Sequence, residues 1–252
     1  MQLRILSLGW GVQSFGLAAM SALGTLPKVD YAIHADTSWE RVETYAFARK
    51  WMPWLEARGI KVISVQAKKE RLSPVHVNTG SIFIPAFTLS LSDKTWGQLK
   101  RQCTGEWKIR PIRRWLSLRL KDLGLAKTPG VIEQWIGFTL DEAHRVSPDS
   151  VQYIENRYPY LELLERPYTR QMVIRWLKDH HLEVPVKSSC VFCPYKRYHQ
   201  WREMQLADNG DWEKAVVADR AIRNKRPGYE CFLCDDRRPL EAHAYTEQLS
   251  LW

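Results

Sequence analysis

Residues 3–14 read Leu-Arg-Ile-Leu-Ser-Leu-Gly-Trp-Gly-Val-Gln-Ser, a short apolar run followed by a turn that contains two glycines. The run has the character of a buried strand, and an apolar pattern with helical spacing begins at Phe15. Glycines let a backbone approach an anion, and the first turn of a helix offers free N–H groups and the positive end of its dipole. The stretch therefore predicts a phosphate-binding turn between a strand and a helix, although such a turn is by itself compatible with a purely structural role.

A second strand pattern ends beside a group of polar side chains. Tyr31–Ala35 has strand character, and Asp36, Thr37 and Glu40 follow it directly. In an open parallel sheet, ligands bind outside the carboxyl ends of the strands. Carboxylates at that edge, next to a phosphate turn on the neighbouring strand, predict a nucleotide site in which Asp36 or Glu40 helps to hold Mg²⁺.

Up to Val65 the chain alternates between strand and helix patterns. The segments are Leu3–Leu6, Gln13–Leu23, Tyr31–Ala35, Glu40–Arg58 and Lys61–Val65. This order predicts βαβ units and a right-handed parallel sheet. Pro53 lies inside the second helical pattern and predicts a kink there. Further along, Ser81–Leu91 contains Pro85, which indicates a hairpin or an irregular edge segment rather than a central strand.

Several segments resemble a known superfamily. Ser7–Ser14 resembles the modified P-loop (PP-loop) of the adenine-nucleotide alpha-hydrolase superfamily of ATP pyrophosphatases, and ADTSWERVETYAFARKW, from Ala35, resembles the DTG-x-E-x-x-ET segment of its phosphoadenosine-phosphosulfate (PAPS) reductase branch. RQCTGEWKIRPIRRWL, from Arg101, is similar to the branch's R-x-CT-x-x-x-K-x-x-P element. The similarity extends to about Cys193 and is greatest with PAPS reductase-like proteins of phages and mobile elements. It implies a doubly wound α/β fold with a parallel sheet.

The resemblance also implies which residues serve the nucleotide. Those expected to bind it are Ser7, Gly9, Gly11, Gln13, Ser14, Asp36, Thr37, Arg101 and Lys108, and those expected to act in catalysis are Asp36, Glu40 and Lys108. Two departures stand out. Val12 and Gln13 replace the Lys and Asp of many relatives, and nothing after Cys234 supplies the C-terminal cysteine motif of true sulfonucleotide reductases. Phosphate charge must then be offset by backbone N–H groups and by the basic block that begins at Lys100.

The chain has five cysteines, four of which form two Cys-x-x-Cys pairs. The odd count favours reduced thiols in a cytoplasmic setting, and metal ligation over a disulfide framework. Three assignments are open: a zinc site of Cys190, Cys193, Cys231 and Cys234; a [4Fe–4S] cluster on Cys103, Cys190 and Cys193 with a fourth ligand; or the same three cysteines with one iron left open. Relatives that thiolate tRNA hold a cluster through a lone cysteine and a Cys-x-x-Cys pair. The resemblance therefore favours the cluster. Its fourth ligand would be Cys231 or Cys234, of which we favour Cys234.

The composition indicates what kind of protein this is. The 252 residues include 45% hydrophobic side chains and 12 Trp, which indicates a folded chain. We predict an adenine-nucleotide-binding α/β domain over 1–185 and a mostly helical, cysteine-bearing region over 186–252 packed on it, with Pro239–Trp252 as a surface tail. The net charge of +9 permits a polyanionic partner such as tRNA or DNA. No apolar run approaches the length of a membrane span.

Together these patterns predict an adenine-nucleotide-binding iron–sulfur enzyme. It would cleave ATP, with Mg²⁺, between the α and β phosphates and couple that cleavage to sulfur transfer on a nucleobase. One alternative is a sulfonucleotide (PAPS or APS) reductase that uses the cluster and an external thiol. Another is a zinc-stapled nucleic-acid-binding protein without catalysis, in which the basic residues meet phosphates.

Overall fold

A computed structural model of the protein describes residues 2–68, 72–75 and 79–243. Its strands are β1 (Leu3–Ser7), β2 (Tyr31–Ala35), β3 (Lys61–Val65), β4 (Phe87–Ser90), β5 (Trp96–Gln98), β6 (Ile132–Trp135), β7 (Ile154–Arg157) and β8 (Tyr229–Phe232). Its α-helices are α1 (Val12–Ala22), α2 (Val42–Glu56), α3 (Arg110–Asp122), α4 (Pro159–Glu162), α5 (Arg170–Asp179), α6 (Tyr198–Leu206) and α7 (Asp211–Ile222). A π-helix spans Thr104–Ile109, and short 3₁₀ helices span Leu140–Arg145 and Leu240–Ala242.

The chain divides into two compact units, with one cut between Ser188 and Ser189, close to residue 185, and further cuts earlier in the chain. The first unit comprises Met1–Asp36, Glu43–Gln66 and Ile109–Ser188. The second comprises Thr37–Val42, Ala67–Lys108 and Ser189–Trp252. The predicted C-terminal region is thus joined by two earlier segments that the sequence assigned to the nucleotide-binding part.

The first unit contains a parallel sheet with the strand order β3-β2-β1-β6-β7. The chain runs outward from β1 to β3 and later resumes on the other side of β1 with β6 and β7. The predicted α/β doubly wound fold is confirmed by this order. A reversal of this kind leaves a crevice between β1 and β6 at the carboxyl ends of the strands, where such sheets bind ligands.

Helices cover both faces of this sheet because successive strand residues point to opposite sides. Leu3 and Ile5 belong to the same core as the buried stripe of α3, Ile112, Leu116 and Leu120. Leu6 instead belongs to a core that contains residues of α1, α2 and α5. The helical spacing predicted for Trp107–Leu120 is confirmed for the α3 stripe, while its first part is a π-helix.

Thr169 caps α5, because its Oγ1 accepts a hydrogen bond from the Met172 N–H at 3.3 Å. Pro53 lies within α2, which runs through it from Val42 to Glu56 as one helix. None of the described helices has the length and apolar character that crossing a bilayer requires.

The second unit has an antiparallel sheet with the order β5-β4-β8. The expectation that Ser81–Leu91 contains no central strand is wrong, since β4 pairs on both sides. Pro85 does not interfere because β4 begins after it, at Phe87. Part of the predicted surface tail is also folded, since Leu240 is fully buried in the core of this unit. The remainder of that tail, 244–252, lies outside the described residues.

Candidate functional site

The glycine turn after β1 forms a closed loop in the first unit. Ser7 is the last residue of β1, and Trp10 adopts a positive φ of 56° that turns the chain toward α1. The Gly9 N–H donates to Ser14 Oγ at 3.0 Å, and that hydroxyl donates to the Gly11 carbonyl at 3.3 Å. Gly11 is the N-cap of α1 and has no side chain to cap it. The N–H groups of the first turn therefore point to the position where an anion binds.

Residues distant in sequence support this loop. Tyr160 donates its hydroxyl to the Gln13 carbonyl at 2.8 Å. Gly137, just after β6, lies so close that an added Cβ would be 3.2 Å from Gln13. The Gln13 side chain, predicted to contact the nucleotide, donates instead to Glu142 at 2.7 Å. Ser188 lies beside the loop, 3.4 Å from the Cβ position of Gly11. Neither Tyr160 nor Ser188 was identified from the sequence, because nothing local marks them as neighbours of the turn.

Tyr160→Phe is expected to destabilise the chain by about 1 kcal/mol at neutral pH, because it removes one buried hydrogen bond. Burial raises the pKa of Tyr160 well above its ordinary value of 10.0, and Tyr168 adds to the shift. The folded chain then holds this proton at pH values where the unfolded chain has lost it. The stability of the wild type should fall above about pH 10 at up to ~1.4 kcal/mol per pH unit, a slope that Tyr160→Phe lacks.

Urea unfolding between pH 7 and 11 measures both effects. Parallel pH profiles for wild type and Tyr160→Phe above pH 10 would contradict the buried, protonated state of this hydroxyl.

Asp36, at the end of β2, is held by two side chains of the first unit. Tyr45 donates its hydroxyl to Oδ1 at 2.7 Å, and the Gln66 amide donates to Oδ2 at 2.6 Å. These bonds fix the orientation of the carboxylate. A carboxylate held in this way at the end of β2 is one of the oxygen ligands that Mg²⁺ accepts.

The second unit holds the Cys190–Cys193 pair in a tight turn. The Cys193 N–H donates to the Cys190 carbonyl at 3.0 Å, and the Val191 N–H donates to the Trp39 carbonyl at 2.7 Å. Glu40 and Cys190 form an isolated antiparallel bridge. Phe192, between the two cysteines, packs edge-on against Trp39 and against Trp107 of the π-helix. These long-range contacts bring residues from all three segments of the unit together.

Glu40 is the buried acid of this group, with 3% of its surface exposed. Its Oε1 accepts a hydrogen bond from Thr37 at 3.3 Å and lies 3.8 Å from the Lys108 ammonium. The same oxygen is 3.9 Å from Cys190 Sγ, and Thr37 Oγ1 is 3.3 Å from that sulfur. Glu40 Oε2 is buried and makes no hydrogen bond with the residues described. This buried carboxylate oxygen has acceptor capacity that the described residues do not use.

Cys190 and Cys103 are neutral thiols when no metal is bound. Burial raises the pKa of Cys190 to about 12, and Glu40 contributes to the shift. Burial also raises the pKa of Cys103, with Arg101 opposing the shift and Cys193 adding to it. Cys103 is thus within electrostatic reach of Cys193, and its place in a shared ligand set stays a prediction.

Two lysines and one arginine accompany the thiols. Burial lowers the pKa of Lys108, but Glu40 and the three thiols outweigh burial and the net shift is upward. Burial lowers the pKa of Lys196 to about 8, and its ammonium donates to the Cys190 carbonyl. Arg101 lies over the Tyr195 ring at 4.5 Å. The thiols therefore face cations, which suits an anionic ligand.

The second cysteine pair lies in different surroundings. Cys231 belongs to β8 and is fully buried, and burial raises its pKa against the opposing effect of Arg226. The ligand atoms of Cys234, Asp236 and His243 all lie within 4.8 Å of one another. Among the described residues this is the one set of three Cys, His, Asp or Glu ligands that meets this distance.

It follows that the sulfurs of Cys103, Cys190 and Cys193 are not all within 4.8 Å of one another. Two sulfurs on one tetrahedral Zn²⁺, at Zn–S distances of about 2.3 Å, would lie about 3.8 Å apart. Cysteines of an iron–sulfur cluster bind separate irons and stand farther apart. The zinc and cluster assignments made from the sequence therefore both stay open at these three thiols.

The solved structures to which this chain is similar in fold include a PAPS reductase and a tRNA thiolase. PAPS reductase from Candida auris, in a phosphate complex, superimposes with a TM-score of 0.46 at 12% identity over 73% of this chain and 76% of that chain. The U34-tRNA thiolase NcsA from Methanococcus maripaludis, with its [4Fe-4S] cluster, gives a TM-score of 0.41 at 14% identity over 87% of this chain and 71% of that chain. Neither a family model nor a curated protein matches this chain. Similarities of this size leave the function to be inferred from the chain's own residues.

Proposed function

We propose that the protein is an adenine-nucleotide-binding iron–sulfur enzyme that cleaves ATP between its α and β phosphates and transfers sulfur to a nucleobase of tRNA or another nucleic acid. The main support is the position of the Glu40 carboxylate beside Lys108 and Cys190. The thiols of Cys103 and Cys193 also raise the pKa of this lysine. Such a group joins metal ligands to a cation that can face phosphate or sulfide.

The residues of the second unit fit an iron–sulfur cluster. Cys103, Cys190 and Cys193 are three thiols of one compact unit, and Cys103 and Cys193 interact electrostatically. A cluster bound by thiolates carries negative charge, which Lys108 and Lys196 would offset. When bound, the cluster would supply an iron at which sulfide is held for transfer. Cys234 as a fourth ligand remains a prediction; with three cysteines alone, one iron is open.

The residues of the first unit fit the phosphates of a nucleotide. The loop of Gly9 and Gly11, closed by Ser14, offers backbone N–H groups at the start of α1. Mg²⁺ would be held by Asp36, whose carboxylate is oriented by two donors.

The proposed reaction balances without an oxidant or a reductant. An oxygen of the nucleobase attacks the α-phosphorus of ATP, and the bond from that phosphorus to pyrophosphate breaks as the new O–P bond forms. Sulfide then forms a C–S bond at the activated carbon, and AMP leaves with the oxygen as the C–O bond breaks. Lys108 is expected to stabilise the charge that develops on the phosphate. Each thiolated base therefore accounts for one AMP and one pyrophosphate.

Anaerobically reconstituted full-length protein should convert Mg-ATP to AMP and pyrophosphate in the presence of sulfide and bulk tRNA. Mass spectrometry of the digested nucleosides should detect a thiolated base in equal amount. Lys108→Gln is expected to lower the rate by about a hundredfold, the usual cost of losing one charge-stabilising group. Lys121→Gln, in the same basic block but exposed on α3, is the matched control and should leave the rate unchanged.

Two other results would each contradict the proposal and assign a different function. Turnover of PAPS or APS with thioredoxin, and no AMP from ATP, would assign the chain to sulfonucleotide reduction. Salt-sensitive binding of tRNA or DNA without any nucleotide affinity would assign it to a non-catalytic nucleic-acid-binding role.

A further inference from the structure

A second group of metal-ligating side chains lies at the end of the second unit. The Cys234 thiol, the Asp236 carboxylate and the His243 imidazole present ligand atoms within 4.8 Å of one another. They follow β8 in a short segment, Cys-x-Asp-x₆-His, that the sequence reading treated partly as a surface tail. None of the roles argued above uses Asp236 or His243.

Backbone contacts hold the three side chains in place. The Arg238 N–H donates to Asp236 Oδ1 at 3.1 Å, which leaves Oδ2 3.4 Å from His243 Nε2. The His243 N–H donates to the Leu240 carbonyl at 3.1 Å, and Leu240 is anchored in the core. The Cys234 carbonyl accepts from the Arg237 N–H at 3.2 Å. A turn and a 3₁₀ helix thus fix all three ligands.

Two of the three ligand side chains are largely buried, which favours a metal site over a solvated ion pair. The side chain of His243 is 9% exposed and Cys234 is 5% exposed, while Asp236 is 41% exposed and opens the group to solvent. A bound ion could therefore enter from the side of Asp236. A thiol, an imidazole and a carboxylate form a ligand set that Zn²⁺ accepts.

The two neighbouring arginines are directed elsewhere. The Arg237 guanidinium lies over the Trp96 ring at 4.2 Å and donates to the Thr88 carbonyl at 3.2 Å. Arg238 donates to the Ala242 carbonyl at 3.3 Å. Both guanidinium groups therefore contact other partners, and neither neutralises the Asp236 carboxylate.

We propose that Cys234, Asp236 and His243 bind one Zn²⁺ ion at a site separate from the three thiols of Cys103, Cys190 and Cys193. Three protein ligands leave a fourth position of the tetrahedral ion for water. The ion ties the segment after β8 to the 3₁₀ helix at Leu240–Ala242. A Cys234 thiolate bound to zinc is not available as the fourth ligand of a cluster, so that one iron of that cluster is left open.

The test measures zinc and iron per chain in full-length protein after incubation with Zn²⁺ alone and exhaustive dialysis. His243→Ala and Cys234→Ala should each lower bound zinc by about one equivalent relative to wild type, with iron unchanged. Asp235→Asn, which alters the adjacent exposed carboxylate, is the matched control and should keep the wild-type zinc content. The loss of zinc in a variant relative to wild type does not depend on what the other cysteines bind. A negative result in this test would therefore leave the proposed function untouched.

Co²⁺ gives a second readout through the charge-transfer absorption of a Co²⁺–thiolate bond, which Cys234→Ala should lose. If His243→Ala does not fold, Asp236→Asn, which keeps the shape of the side chain, should still weaken zinc binding by at least about tenfold. The proposal is overturned if His243→Ala or Asp236→Asn binds zinc as tightly as wild type. It is equally overturned if Cys234→Ala loses iron and keeps zinc.

Discussion

Cys190→Ala, purified anaerobically, is expected to lose nearly all of the iron and acid-labile sulfide that the wild type carries. Cys103→Ala should have the same effect, because each substitution removes one of three thiols that face the same lysine. Iron and sulfide analysis, together with absorbance in the region of the iron–sulfur charge-transfer bands, measures the loss.

The size of the effect follows from the energetics of the buried thiols. Without a metal, Cys190 has a pKa of about 12, so that at neutral pH its thiolate is almost unpopulated. Only a bound metal can stabilise the thiolates enough to displace their protons, and cluster binding therefore depends on the full set. Removal of one ligand also leaves the Lys108 and Lys196 ammonium groups with less negative charge to offset.

Cys231→Ala is the control for this experiment, because Cys231 is fully buried within β8 and is not one of the three thiols. It should keep its iron even if it loses some stability. Wild-type protein that is colourless and holds one zinc per chain at the three thiols would contradict the sulfur chemistry. If Cys103→Ala retains its iron, Cys103 is not a cluster ligand, and Cys190 and Cys193 lack the proposed third thiol.

The parallel sheet was predictable because its signals are local. The strand patterns at Leu3–Leu6 and Tyr31–Ala35, the glycines of the intervening turn and the helical spacing each involve residues close in sequence. The apolar stripe of α3 has the same origin. The Thr169 cap also depends only on a residue three positions away.

The parts that could not be predicted depend on long-range pairing. β4 is a central strand because β8, about 140 residues later, pairs with it, and no local pattern reports such a partner. Glu40 was assigned to the nucleotide site on its position after β2, yet its side chain lies with Lys108 and Cys190. The antiparallel bridge between Glu40 and Cys190 decides this placement. Sequence reasoning found the residue but could not find its neighbours.

Gly16→Ala is expected to destabilise the first unit by about 2 kcal/mol or more, although the same change in an open helix stabilises by about 1 kcal/mol. Gly16 lies in α1, where an added Cβ would be 2.4 Å from the Tyr160 hydroxyl and 2.5 Å from Val173 Cγ1. Both neighbours are fully buried, so neither can move into solvent. Relief of the clash must shift Tyr160 away from the Gln13 carbonyl, which also loosens the phosphate loop.

Urea unfolding of Gly16→Ala measures the loss, and Gly105→Ala, whose added Cβ meets no atom within 4 Å, is the matched control. Truncation of Val173 in the double variant Gly16→Ala, Val173→Ala should cost less than the sum of the single changes, because the new methyl fills part of the space that the valine leaves. Strict additivity would mean that α1 and α5 do not approach each other at Gly16. Unchanged or increased stability of the single variant would contradict the contact with Tyr160, and with it the support that this residue gives to the loop.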